Sequence, residues 1–177
     1  SVNFDKQDKH LIVADLGLDQ VKVYNFDAAT GKLVPNEPAF AKVKPGNGPR
    51  HFTFHPSGKY AYVINEMACT VTAFHWNAAK GTLTEIETVT TLPVPFQKGF
   101  STAEVVAHPN GRFLYGSNRG HHTIAVFQVD AATAPPGGLV LVDRLGGFVR
   151  RECVGLEPFA FSRRARTQGA AGRKVLR

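Results

Sequence analysis

Hydrophobic and polar residues alternate along this chain in short runs, and turn residues interrupt the runs at regular distances. In the middle of the chain, the β-branched and aromatic runs cover residues 51–54, 60–64, 71–76 and 83–90. Pro56-Ser57-Gly58 and Ala79-Lys80-Gly81 separate them as turns. The runs do not follow the 3.6-residue spacing of a helix, so the pattern predicts four β-strands in this part of the chain.

This four-strand unit occurs three times. The segment HPSGKYAYVIN at 55–65 matches HPNGRFLYGSN at 108–118, and DKQDKHLIVAD at 5–15 matches both, although its turn lacks their Pro and Gly. A further matching run begins after each copy, at Val21, Val71 and Ile124. A fixed repeat of roughly 50 residues with four strands in each unit is typical of propeller blades.

The sequence therefore predicts an all-β protein of about three four-stranded propeller blades, at residues 1–45, 46–98 and 99–145. Propellers close with about four to eight blades, so three blades leave the ring open. We expect a fragment of a longer propeller, in preference to a ring completed by other chains or open blade edges that self-associate. Residues 146–177 lack the blade pattern, and a shifted reading frame, a degenerate terminus or a disordered basic tail that binds anionic surfaces would each explain them.

The net charge of +7 raises the question of nucleic-acid binding, and the distribution of the charge argues against it. Residues 148–177 carry eight Lys and Arg against two Glu, whereas residues 1–147 carry thirteen basic against twelve acidic residues. The predicted blades are nearly neutral and present no basic face of the kind that binds a phosphate backbone. We expect no nucleic-acid partner.

The hydrophobic content of 43% and the charged content of 20% are typical of a globular protein and not of a disordered one. No run approaches the roughly 18 apolar residues of a membrane span, and the first ten residues form no apolar signal core. Cys69 and Cys153 lack the spacing of a metal or redox motif. We therefore expect a cytoplasmic protein with reduced thiols and no membrane contact.

Blade geometry brings one group of polar residues to a single face. In a four-stranded meander, the start of the innermost strand and the end of the second strand lie at the same mouth of the channel. His51 and Glu104 occupy equivalent repeat positions at the start of the innermost strands. The residues predicted to converge at this mouth are Arg50, His51, Asn65, Glu66, Glu104, Asn118 and Arg119.

This group contains the residue types needed for acid–base chemistry on a carbonyl. A carboxylate and an imidazole can hold or deprotonate a water, and guanidinium groups can stabilise an oxyanion or bind a phosphate. We interpret Arg50, Asn65, Glu66 and Asn118 as substrate-binding candidates. Polar residues at strand ends also satisfy loop backbone groups, and that structural role would equally explain the two asparagines.

The remaining histidines fit structural roles better. His55 and His108 lie in repeated His-Pro turns on the opposite face, which indicates a turn function. His121 and His122 are adjacent, so their side chains diverge on a strand, and no third ligand accompanies them at metal spacing. The sequence predicts no metal site and no cofactor.

Two long segments carry a family resemblance, GNGPRHFTFHPSGKYAYVINE at 46–66 and FSTAEVVAHPNGRFLYGSNRGHHTIAVF at 100–127. Together with SVNFD and VADLGLDQVKVYNFD in the first blade, they resemble the seven-bladed propeller lactonases. That family includes bacterial 6-phosphogluconolactonases and a fungal enzyme that cyclises carboxymuconate. The resemblance covers about residues 1–145 and implies seven blades in a full-length member.

The resemblance implies lactone chemistry on a small sugar lactone. His51, Glu104 and Arg119 match the His, Glu and Arg cluster of the cycloisomerase branch and are the implied catalytic residues. Glu104 or His51 would take a proton from the attacking water, while Arg119 with Arg50 would stabilise the oxyanion. A lactonising cycloisomerase and a non-catalytic binding scaffold are the alternatives, because propellers host many unrelated functions.

Overall fold

The computed structural model describes residues 1–130 and 137–146, and the regular elements in these ranges are all β-strands. The first sheet contains β1 (Val2–Phe4), β2 (His10–Asp15), β3 (Gln20–Asp27) and β4 (Lys32–Lys42). The second contains β5 (Pro49–Phe54), β6 (Tyr60–Asn65), β7 (Thr70–Asn77) and β8 (Thr82–Thr90). The third contains β9 (Ser101–Ala107), β10 (Phe113–Arg119), β11 (Thr123–Asp130) and β12 (Gly138–Gly146).

Each sheet is an antiparallel meander with its strands in chain order, and we refer to the three sheets as blades 1, 2 and 3. This confirms the predicted all-β class with three four-stranded blades. The predicted basic tail at 146–177 lies, apart from Gly146, outside the described residues.

The second strand of blade 2 is almost wholly buried, because neighbouring blades cover both of its faces. Tyr62, Val63 and Ile64 are consecutive in β6 and expose no surface. A continuous apolar run of this kind marks a strand covered on two sides. The outermost strand β8 contains no buried residue, so polar residues are tolerated along it.

Two hydrophobic clusters hold the blades together. The cluster between blades 1 and 2 includes Ile12, Phe52 and Trp76, and the cluster between blades 2 and 3 includes Leu114 and Phe127. Each fully buried large apolar side chain contributes about 1.5–3 kcal/mol to folding. The interfaces therefore fix the blades relative to one another, and with them the ends of the inner strands.

Left-handed backbone recurs at the same repeat positions in the turns. Asp8 has a φ of 53° where the other two copies have Gly58 and Gly111, both also at positive φ. Aspartate is one of the few residues besides glycine that tolerates this conformation. The first copy therefore keeps the same turn although its sequence has lost the Pro and Gly.

Candidate active site

A β-bulge interrupts the pairing of β5 with β6 at the mouth of the channel. Pro49 pairs with Asn65 and His51 with Ile64, which leaves Arg50 as an extra residue on β5. Adjacent residues on a regular strand point to opposite faces, but a bulge re-aims one of them. The side chains of Arg50 and His51 consequently meet, although they are neighbours in sequence.

The equivalent irregularity occurs in blade 3, where the register of β9 and β10 shifts between Gly116 and Asn118. There the backbone N–H of Glu104 donates to Oγ of Ser117 at 2.9 Å. Sequence reasoning did not single out Ser117. Its signal is a hydroxyl at the repeat position that the apolar Ile64 occupies in blade 2.

His51 lies between a carboxylate and a guanidinium. Its Nδ1 is 2.8 Å from Oε2 of Glu104, and its Nε2 is 2.8 Å from Nη1 of Arg50. Because a guanidinium only donates, Nε2 must carry a lone pair, and the ring proton resides on Nδ1. This geometry assigns the Nδ1–H tautomer to His51, whose Nδ1–H donates to Oε2 of Glu104.

Glu66 joins the two arginines of the cluster. It follows β6 directly, and its Oε2 lies 2.9 Å from Nε of Arg50. Its other oxygen, Oε1, accepts from Nη2 of Arg119, at the end of β10. The Glu66 carboxylate of blade 2 thus holds Arg50 of its own blade and Arg119 of blade 3.

Hydrogen bonds to backbone groups also hold these side chains in place. Arg50 donates from Nη1 to the carbonyl of Ala103 at 3.0 Å, and Arg119 donates from Nη2 to the carbonyl of Thr102 at 2.8 Å. The backbone N–H of Val105 donates to Oε1 of Glu104 at 2.9 Å. Each charged group is therefore held by at least two partners, which pre-organises the cluster.

The two predicted asparagines lie inside the blades, and this placement favours the structural interpretation. Asn65 is fully buried, and its amide donates to the hydroxyls of Thr70 and Thr72. Asn118 is 5% exposed and hydrogen-bonds to Thr91 and Thr123. The five charged or imidazole-bearing candidates do converge, and they are Arg50, His51, Glu66, Glu104 and Arg119.

The other histidines lie away from this cluster or make local contacts. His55 accepts from the backbone N–H of Ser57 in its turn, and His121 bonds to the hydroxyl of Thr123. Among the side chains that the structure describes, those of residues 1–129 and 137–141, no group of three His, Cys, Asp or Glu could hold a metal ion. The described part of the chain also contains no helix long and apolar enough to cross a membrane.

The cluster combines the parts needed for water attack on a carbonyl. A carboxylate on Nδ1–H orients an imidazole so that Nε2 is its basic atom. The neighbouring guanidinium groups supply fixed positive charge for a developing oxyanion. The side chains of His51 and Glu104 are 34% and 53% exposed, so a small molecule can reach them.

Comparison with known proteins identifies the protein family to which this sequence is similar. Residues 1–142 match the family model described as "Lactonase, 7-bladed beta-propeller". A 6-phosphogluconolactonase of Bacillus subtilis is 36% identical over 142 residues, which cover 80% of this chain and 39% of that protein. A 6-phosphogluconolactonase of Pectobacterium carotovorum is 34% identical over 129 residues, 73% of this chain and 39% of the relative.

A solved structure shows the same arrangement of blades. The periplasmic gluconolactonase PpgL of Pseudomonas aeruginosa superposes with a TM-score of 0.75 at 33% identity, over 82% of this chain and 40% of that one. The chain thus spans about two fifths of the length of the relatives it matches. The match over residues 1–142 and the shared blade structure establish that the chain belongs to the seven-bladed β-propeller lactonase family.

Proposed function

We propose that this chain hydrolyses a sugar lactone, with His51 as general base and Glu104 as the carboxylate that orients it. The observation that carries the proposal is the position of His51, with Glu104 on Nδ1 and Arg50 on Nε2. The names of the relatives, 6-phosphogluconolactonase and gluconolactonase, support a lactone substrate.

The resting arrangement implies that substrate binding frees the base. Nε2 of His51 accepts a hydrogen bond from Arg50, so its lone pair is occupied. A lactone carbonyl oxygen beside Arg50 competes for the same N–H. Once Arg50 donates to the substrate, Nε2 can accept a hydrogen bond from a water molecule.

The reaction then proceeds in two proton-balanced steps. The water oxygen attacks the lactone carbonyl carbon while its proton passes to Nε2 of His51, and Arg50 and Arg119 stabilise the tetrahedral oxyanion. The intermediate collapses, the bond from the carbonyl carbon to the ring oxygen breaks, and the leaving oxygen takes the proton back from Nε2. The product is the hydroxy acid, and His51 returns to its neutral state.

The same groups would serve lactone formation, since a catalyst acts on both directions of a reaction. The names of the relatives support hydrolysis as the direction to test first. Both arginines share Glu66, so a phosphate bound at this point would have to compete with a carboxylate. Comparing gluconolactone with its 6-phosphate therefore tests which of the two the cluster accepts.

The proposal is tested by measuring acid release from both lactones by the purified 177-residue chain and by Glu104→Gln. We expect hydrolysis above the uncatalysed rate and a loss of about 10²–10⁴-fold in kcat for Glu104→Gln. His108→Gln, in a turn on the opposite face, is the matched control and should retain wild-type rates. A wild-type chain that accelerates neither lactone contradicts the proposal.

A further inference from the structure

A cavity of about 360 Å³ lies between blades 1 and 2, at the face opposite the charged cluster. We call it the far-face groove. The walls of the groove that matter here are formed by Phe4, Asp5, Phe54, Gly58, Trp76 and Ala78. A second cavity, lined in part by Lys9 and Phe26, shares two lining residues with the groove, Gln7 and Ala78, and so extends it towards the end of β3.

The groove exists because one repeat position has changed. Between blades 2 and 3, the His55 imidazole crosses the interface and donates from Nε2 to the carbonyl of Gly111 at 2.7 Å. The contact is so close that a Cβ on Gly111 would lie 2.8 Å from the ring. The corresponding pair between blades 1 and 2 is Asp5 and Gly58. A Cβ added to Gly58 would have Cδ of Lys6 as its nearest neighbour, at 4.0 Å.

Asp5 does not replace the missing bridge, because its carboxylate is occupied within its own blade. It accepts from Nδ1 of His10 at 2.8 Å and from the backbone N–H groups of Lys9 and His10. No described side chain donates to the carbonyl of Gly58. At Gly58 the interface between blades 1 and 2 thus lacks the ring and the donor that His55 supplies at Gly111, although the His10 imidazole packs against Trp76 elsewhere in the same interface.

We propose that the far-face groove binds a small flat heteroaromatic molecule with a ring N–H, in the place that an imidazole takes one blade further on. The ring N–H would donate to the carbonyl of Gly58, as His55 donates to Gly111. The Phe54 ring is partly exposed and packs against Trp76 at a centroid distance of 5.5 Å, so Phe54 offers most of the aromatic surface for the ligand, and Trp76, 3% exposed, lies directly behind it. A volume of this size is within the range of small-molecule pockets.

The chemistry of the rim restricts the ligand further. Lys6 and Lys9 line the two cavities and form no ion pair with a described residue. The Asp5 carboxylate is 2% exposed and already paired with His10, so it offers nothing to a cation. The groove therefore favours a neutral or anionic ring over a cationic one.

This ligand site is separate from the proposed lactone site. The two lie at opposite ends of the inner strand β5, whose six residues span about 20 Å at roughly 3.3 Å per residue. The groove needs no lactonase activity in order to bind. Binding can therefore be measured whether or not the chain hydrolyses lactones, and the two proposals can fail independently.

The single tryptophan of the chain is a direct reporter, because Trp76 forms part of the groove wall. We would titrate the ¹⁵N-labelled 177-residue chain with benzimidazole and follow the one indole N–H cross-peak by NMR. We expect a saturable shift, and binding about tenfold weaker for 1-methylbenzimidazole, which lacks the ring N–H donor. Equal affinity for the two probes, or no shift at all, would overturn the proposal.

Two variants test whether the ligand binds in the groove or elsewhere on the chain. Ala78→Phe fills the space with a ring and removes no side-chain hydrogen bond, so it should abolish the shift. Ala28→Phe, at the same repeat position in the exposed turn of blade 1, is the matched control and should bind like the wild type. Unchanged binding in Ala78→Phe contradicts the assignment.

A third variant tests the site even if Ala78→Phe does not fold. Asp5→His restores the residue that bridges blades 2 and 3 and should also close the groove to benzimidazole. If Ala78→Phe loses its dispersed spectrum, benzimidazole binding is measured in the folded Asp5→His variant instead. Loss of binding there supports the site in the groove, and unchanged binding excludes it.

Discussion

The guanidinium of Arg50 donates a hydrogen bond to Nε2 of His51 at 2.8 Å, although the two residues are neighbours on one strand. The β-bulge in β5 makes this contact possible, because a regular strand would direct the two side chains to opposite faces. The contact decides the protonation of the imidazole. It leaves Nδ1 as the only ring nitrogen that can donate to Glu104, and it occupies the lone pair of Nε2.

The tautomer of His51 can be observed without any activity assay. Two-bond ¹H–¹⁵N NMR correlations of the imidazole at pH 8 should show a protonated Nδ1 and an unprotonated Nε2. In Arg50→Gln, a neutral amide replaces the obligate donor, and the Nε2–H form should become detectable. A predominant Nε2–H tautomer in the wild-type chain contradicts the arrangement.

Glu66 should matter for catalysis more than for stability. In Glu66→Gln the carboxylate that holds Arg50 and Arg119 is lost, so both guanidinium groups become free to leave the catalytic geometry. We expect kcat/KM for the lactone to fall by about 10–100-fold, from the loss of pre-organised charge. The free energy of unfolding should change by about 1 kcal/mol or less, since these ion pairs are partly exposed to solvent.

Glu85→Gln is the control for that change, because Glu85 is an exposed carboxylate on the outer strand β8. It should keep both kcat/KM and stability. An equal loss of activity in the two variants would indicate a general effect of charge and not the bridging role of Glu66.

The sequence predicted the blades well because the strands repeat and their apolar runs are continuous. It also placed the five charged or imidazole-bearing candidates at one mouth, since repeat position determines the end of a strand. It did not predict the two bulges or Ser117, which depend on local pairing between strands. Repeat position alone also does not tell whether a side chain at a strand end turns inward, as Asn65 does towards Thr72.

We expect the free energy of unfolding to depend on pH through Asp5 and its contacts with His10. Burial would raise the pKa of Asp5, but the hydrogen bonds from the His10 side chain and from the backbone of His10 and Lys9 outweigh it and lower the pKa. A lowered carboxyl pKa gives stability that is present above the unfolded-state pKa of about 3.9 and is lost as the pH falls through the folded-state pKa.

Asp5→Asn tests this linkage by urea denaturation at several pH values. The variant should be less stable than the wild type by about 1–3 kcal/mol at pH 7, and the difference should shrink below about pH 4. Asp8→Asn, at an exposed turn position with the left-handed backbone that asparagine tolerates, serves as control. A difference that is constant from pH 7 to pH 3 would refute the linkage.

Cys69 should be inert in the folded chain. It is fully buried, and burial raises the pKa of its thiol to about 11 even though Arg119 acts in the opposite direction. Only the thiolate reacts with iodoacetamide, so peptide mapping after labelling at pH 7.5 should find Cys69 unmodified. Complete labelling should require denaturant, and rapid labelling without it would show that blade 2 opens readily.

The most direct test of the central claim is the rate of lactone hydrolysis by His51→Gln measured beside His108→Gln. Both variants remove one imidazole, but only the first removes the group between Glu104 and Arg50. The proposed mechanism predicts a fall in kcat of about 10²–10⁴-fold for His51→Gln and none for His108→Gln. Wild-type turnover by a folded His51→Gln would contradict the assignment of His51 as the general base.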